Sequence, residues 1–288
     1  MTRVPVPVRL ASVVLLLGHP VLGAAQTAPD PPAEAAPAAL PFAFYADLVL
    51  AAPVIVDATV RSAARIKGPE AANVAPGATR FYVEADVGAL IRGAGALPPR
   101  IGYLVDLAPG PDGRLPRLKK ARVLLFARPV AGSPDQLQLV SPDAQIPWTP
   151  EADALTRRIA RAALAPDAPP EVTGIGNAFH VPGSLPGEGE TQIFLHTVDA
   201  RPVSLSVLRR PGEQPRWAVA LSEIVDEAAG PPAPGTLLWY RLACFLPATM
   251  PEASTASLSP DDARQARDDY RFVQGQLGPC GARARLTR

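Results

Sequence analysis

TRFYVEADVGALI, residues 79–91, carries the clearest structural signal in the 288-residue chain. Phe81, Val83, Ala85, Val87, Ala89 and Ile91 fall on one side of an extended chain, with Arg80, Tyr82, Glu84 and Asp86 on the other. That alternation is the period of a half-buried strand. Gly88 offers a point at which so long a strand can bend or bulge, as a barrel strand must. Upstream, Val54, Val56, Ala58 and Val60 alternate with Ile55, Asp57, Thr59 and Arg61. The preceding FAFYADLVLAA (42–52) reads as a short helix or a lead strand, ended by Pro53. Downstream, the turn-rich RGAGALPPR leads to Ile101, Tyr103, Val105 and Leu107, another alternating set. After the PGPDGR loop comes ARVLLFA (121–127), whose unbroken apolar character predicts a strand buried on both faces. LQLV (137–140) follows a GSPD turn. Strands of this kind without intervening helices predict a small closed barrel of five strands.

The order ADLVLAAPVIVDATV, then RFYVEADVGALIRG, then KKARVLLFARPV resembles the OB-type barrel of netrin-like and metalloproteinase-inhibitor modules over roughly residues 42–148. The resemblance implies an OB-like barrel. The animal inhibitors of that family act through an N-terminal Cys and several disulfides, and residues 42–148 contain no Cys, so protease inhibition is not implied. AFHVPGSLPGEGETQIFL and LLWYRLACFLP resemble exported bacterial two-domain proteins, which implies a compartment and no activity.

TPEADALTRRIARAALA (149–165) is a helix in every local respect. Thr149 can cap it, Pro150 suits its first turn, and Glu151 and Asp153 favour the positive end of its dipole. The barrel with this helix forms the first expected domain, 42–165. PDAPP (166–170) is the expected linker, and 171–288 the second domain. There, strands are predicted at 172–181, 191–197, 203–208, 216–221 and 237–244, which together read as an antiparallel sandwich or small barrel. A C-terminal helix starts at Ser259-Pro260-Asp261-Asp262, an N-cap, a proline at the first position and an acid two further on. Its apolar seam is Ala263, Ala266, Tyr270, Val273 and Leu277, and Gly278-Pro279 stops it.

Residues 1–25 have the form of a cleavable secretory signal. Arg3 and Arg9 stand ahead of an apolar run from Leu10 to Leu22, which is shorter than the roughly 20 residues that span a bilayer. Gly23 and Ala25 put small residues where a signal peptidase would cut ahead of Gln26. No Cys follows to carry a lipid. QTAPDPPAEAAPAALP (26–41) is a Pro/Ala-rich lead-in without periodicity, expected to be extended and poorly ordered. Removing the leader takes two arginines and no acid, so the formal charge passes from +1 to −1. So even a balance gives no electrostatic reason for a nucleic-acid or anionic-lipid partner. No later segment is long and apolar enough to insert stably in a membrane. Export to the periplasm or beyond also makes a disulfide between the chain's two cysteines, Cys244 and Cys280, the expected state.

Catalytic signatures are missing: the chain has no G-x-S-x-G, H-E-x-x-H, C-x-x-C, S-x-x-K or phosphate-binding glycine loop. Two candidate sites remain. His180, Glu190 and His196, with Glu188 and Asp199 nearby, are residue types that could ligate a metal. Gln192, Phe194, His196, Ser204 and Ser206 should share the outward face of a hairpin, an aromatic among hydrogen-bonding groups that suits a sugar or peptide contact. The sequence therefore predicts a non-catalytic exported binding or accessory module that needs no cofactor and meets an envelope protein or glycan. The competing reading is a periplasmic hydrolase or metalloenzyme built on His180, His196 and nearby acids.

Overall fold

The computed structural model describes residues 1–2, 40–222, 230–284 and 286; the expected leader beyond its first two residues, and the lead-in up to residue 39, lie outside them. Leu40–Arg288 is a single compact unit. It opens with helix α1 (Phe42–Ala51), whose Ala43, Phe44, Tyr45, Ala46, Asp47, Leu48 and Val49 are all buried. A helix apolar on every side must lie inside the protein.

Six strands follow: β1 (Val54–Arg65), β2 (Thr79–Arg92), β3 (Arg100–Leu107), β4 (Arg122–Val130), β5 (Ser133–Leu139) and the short β6 (Gln145–Pro147). Their order is β1-β2-β3-β5-β4, with β1 pairing back onto β4 to close a five-stranded barrel and β6 added on β4. All neighbours are antiparallel except β3 and β5, which run parallel. This is the OB-like barrel that the sequence predicts. Its interior holds Val56, Ala58 and Val60 of β1, Val83 and Ala85 of β2, Ile101, Tyr103 and Val105 of β3, and Val123 and Leu125 of β4.

ARVLLFA is apolar throughout for a physical reason. Val123, Leu125 and Ala127 point into the barrel, while Leu124 and Phe126 point outward into a second core. Strand β2 differs from simple alternation. Val87 lies opposite Ala58, but the next pair is Ala89 with Asp57, so Gly88 is the extra residue of a bulge. A Cβ on Gly88 would stand 3.3 Å from the Asp57 carbonyl oxygen, tighter than a side chain normally tolerates. Past the bulge the faces exchange: Leu90 packs on the barrel core and Ile91 on the second core, so Ala89 and Ile91 leave the barrel face expected for them.

Helix α2 (Pro150–Leu164) is capped by the Thr149 hydroxyl, which accepts from the Ala152 N–H at 3.1 Å. Beyond it, β7 (Val172–Pro182), β8 (Gly189–Thr197), β9 (Val203–Arg209) and β10 (Arg216–Ala220) form an antiparallel meander in the order β10-β9-β8-β7. The expected fifth strand, 237–244, is instead helix α3 (Leu237–Ala243), so among the described residues this half is one four-stranded sheet covered by helices, without a second sheet to make a sandwich. LLWYRLAC is a short continuous apolar run, and such a run fits a buried helix as well as a buried strand. Thr236 decides it by accepting from the Trp239 N–H at 3.2 Å, which starts the first turn.

Helix α4 (Pro260–Leu277) is capped by Ser259 and buries the seam Ala263, Ala266, Tyr270, Val273 and Leu277, as the sequence predicts. Cys244, at the end of α3, is bonded to Cys280 just past α4. The inner face of the four-stranded sheet, α1, α2, α3 and α4 share one core with Leu124 and Phe126 of the barrel wall. The 166–170 segment does part the two sheets, but this core runs past it on both sides.

Burial holds the hydroxyls of Tyr103, Tyr240 and Tyr270 well above the usual tyrosine value of 10.0, and a hydrogen bond to Asp47 adds to the effect at Tyr240. A raised folded-state value means stability that is whole below the unfolded tyrosine range and is lost as pH climbs beyond it. Alkaline titration should therefore release these phenolates together with unfolding, above about pH 10. Phenolate absorbance rising smoothly for all tyrosines while circular dichroism stayed native would contradict this.

Candidate functional site

The meander presents two faces of opposite character. Alternate residues Thr191, Ile193 and Leu195 of β8, and Val203, Leu205 and Val207 of β9, are buried against the helices. Between them, Glu190, Gln192, Phe194 and His196 of β8, and Ser204, Ser206 and Leu208 of β9, face outward. Register places Gln192 opposite Ser206 and Phe194 opposite Ser204. The hairpin face expected from the sequence is therefore assembled, and Gln192, Phe194, Ser204 and Ser206 adjoin one another on it. His196 lies at its far end, with its imidazole over Gly176.

An aromatic that the sequence did not single out completes this face. Phe179 of β7 lies opposite Gln192 and meets Phe194 edge to face, with ring centroids 5.9 Å apart. Edge-to-face contact is a preferred arrangement for aromatic pairs. Phe179 remains 46% exposed and Phe194 40%, so the pair is offered to solvent rather than packed away. Strand β7 carries two register shifts, between Val172 and Gly174 and between Ile175 and Ala178. Each shift exchanges the strand's faces, so the orientation of Phe179 cannot be counted from the start of the strand. Gln192 donates to Glu190 at 3.2 Å, and among the described residues no hydrogen bond engages the Ser204 or Ser206 hydroxyl.

The metal candidates are not brought together. His180 pairs with buried Thr191 and so faces inward, whereas Glu190 and His196 face outward. Five residues of strand separate Thr191 from His196, about 17 Å at ~3.4 Å per residue. Ligation needs each donor within roughly 2 Å of the ion, so His180 and His196 cannot share one. No group of three potential ligands occurs among the described residues. The neighbouring acids have structural partners. Glu188 accepts from the Ser184 and Leu185 amides at 3.0 and 3.2 Å within the β7–β8 turn, and Asp199 pairs with Arg201 at 2.6 Å. The Arg201 guanidinium holds the Asp199 carboxyl below its usual range.

His180 belongs to a buried polar network. Its Nδ1 is 2.9 Å from the Thr191 hydroxyl, and that hydroxyl donates to Asp269 Oδ2 of α4 at 2.5 Å. Arg209 Nε and Gln265 Nε2 donate to the other carboxylate oxygen at 2.5 and 3.1 Å. The single Thr191 proton is used on Asp269, so its oxygen accepts from His180 Nδ1–H and the imidazole tautomer is set. The network ties α4 to the sheet. Its members lie far apart in the chain and carry no local signature.

Neither a protein-family model nor a curated protein sequence matches this chain. Among the described residues, no helix is long and apolar enough to cross a membrane.

Proposed function

We propose that the chain is an exported, non-catalytic binding module and that the outer face of its four-stranded sheet holds a glycan. The exposed Phe179–Phe194 pair carries this reading. Sugar rings present C–H faces that pack on aromatic surfaces, and their hydroxyls seek paired donors and acceptors. Gln192, Ser204, Ser206 and, at the far end, His196 supply such groups around the rings. The face belongs to a sheet that its own hydrogen bonds hold in place, so little ordering cost accompanies binding. The form of residues 1–25 and the Cys244–Cys280 bond both suit an oxidising compartment outside the cytoplasm, where envelope glycans are found. The hydrolase or metalloenzyme reading lacks such support, since its two histidines occupy opposite faces of the sheet.

Affinity electrophoresis of the mature protein through gels containing soluble envelope polysaccharides tests the reading. Retardation should occur with at least one of them, and Phe194→Ala should weaken it about tenfold, or about 1.4 kcal/mol. Thermal stability should barely move, because the ring is exposed. Migration unaffected by every polysaccharide, or retardation that survives Phe179→Ala with Phe194→Ala, would refute it.

A further inference from the structure

The barrel has a seam that is only partly closed. The parallel ladder between β3 and β5 comprises Gly102 with Gln136 and Tyr103 with Leu137, and ends there. Both strands run on: β3 stays paired to β2 as far as Leu107, and β5 stays paired to β4 as far as Leu139. Each therefore turns one backbone edge toward a groove instead of a neighbouring strand. At the closed end, Gln136 Nε2 donates to the Tyr82 hydroxyl at 3.0 Å, across Gly102, where a side chain would collide with that hydroxyl. Past this bridge the groove opens to about 500 Å³ and is lined by Leu104, Val105, Val130, Leu137 and Leu139. Leu104, on the outer side of β3, is 51% exposed.

We propose that this groove binds an extended, uncharged, apolar peptide segment of a partner protein, which adds to the β3 edge as a strand. Three properties point to that occupant. A backbone edge left without a neighbour offers N–H and C=O groups at strand spacing, which another extended backbone matches. The charged side chains at the wall neutralise each other: Arg80 donates to both Asp106 carboxylate oxygens, each at 2.8 Å. The other polar lining groups, Gln136, Gln138 and Ser141, are neutral, so a charge brought in by the ligand would find no counter-ion. The edge is also short. Leu104–Leu107, the part of β3 beyond the ladder, offers about 13 Å of strand at ~3.3 Å per residue. A strip that size is far below the roughly 800 Å² per partner that a globular interface or a second copy of the chain would need. It suits a single extended segment of about four residues. The site lies on the barrel, separate from the glycan face.

Selection of capped heptapeptides from a random library on the mature protein, counter-selected on Leu104→Arg, tests this. Sequences of alternating uncharged apolar residues should be enriched. The best peptide should lose at least tenfold in affinity on Leu104→Arg and again on Val130→Asp, both exposed positions whose variants are first shown to keep the native circular dichroism. The same peptide N-methylated at alternate residues keeps its side chains but loses strand donors, and one of the two methylation phases should bind at least tenfold more weakly. Phe194→Ala should leave peptide binding unchanged, which separates this site from the glycan face. Absence of enrichment over the counter-selection would overturn the proposal. So would equal binding of both N-methylated phases and the parent, which would mark a small-molecule pocket rather than a strand edge.

Discussion

Arg209→Ala is expected to lower the free energy of unfolding by about 3–5 kcal/mol, the cost of leaving a buried carboxylate without its cation. The Asp269 side chain is 1% exposed and the Arg209 side chain 29%, so the carboxylate is enclosed and its cation is the group that links it to the surface. Thr191 and Gln265 still donate to Asp269, which places the effect toward the lower end of that range. The pair need not be stabilising against an apolar alternative. Replacing both residues, Arg209→Leu with Asp269→Leu, should cost less than Arg209→Ala alone, because no charge then remains buried. Urea unfolding of the three proteins decides the matter. An Arg209→Ala midpoint indistinguishable from native would show that Asp269 is solvated in a way its burial does not allow.

Removing the disulfide should have a comparable effect. Cys244→Ser with Cys280→Ser opens a loop closed between residues 36 apart, worth about 4 kcal/mol on the chain-entropy account. A further consequence follows from what lies beyond Cys280. Arg283 Nη2 reaches Asp47 of α1 at 2.6 Å, and the Ala284 N–H donates to the same carboxylate at 3.0 Å. Asp47 also accepts from the Tyr240 hydroxyl at 2.5 Å, and the Arg283 guanidinium lies 4.7 Å from the Phe245 ring centroid. The disulfide anchors the start of this tail next to its docking site, so Arg283 need not search for Asp47. Arg283→Ala should therefore destabilise the oxidised protein more than the serine double variant. A coupling of at least ~0.5 kcal/mol is expected between the two changes. Strict additivity would mean that the tail finds Asp47 equally well without the bond.

Where sequence reading succeeded, the information is local. A strand with one face in a core must alternate, so 54–60, 79–87 and 101–107 announce themselves, and a wall strand between two cores must be apolar throughout, as 121–127 is. Helices α2 and α4 begin at capping residues whose chemistry is confined to one turn. The sequence holds two cysteines, and the bond that joins them is the pairing those two residues point to. The failures have equally specific causes. Bulges at Gly88 and in β7 exchange strand faces, and a bulge depends on the pairing partner rather than on the strand itself. That is why Ile91 turned to the second core and why Phe179 was missed. LLWYRLAC could bury its side chains as helix or strand, and only the space left between α1, α2 and α4 and the Thr236 cap separates the two.

The candidate sites divide in the same way. Gln192, Phe194, Ser204 and Ser206 could be placed together from alternation across one tight hairpin, a relation of neighbours in sequence. His180 and His196 share a strand pair but not a face, and only the observed register reveals it. The sequence by itself determined the barrel strands other than β5, which starts at Ser133 inside the expected GSPD turn and ends at Leu139, together with the two capped helices and the bonded cysteines, because period, cap and residue type act over a few positions. Only the tertiary structure decided the shared core that spans both sheets, the aromatic pair on the outer face and the half-open seam between β3 and β5. Each of these depends on which strand, and which residue of it, ends up beside which, and that is set by the packing of the whole chain.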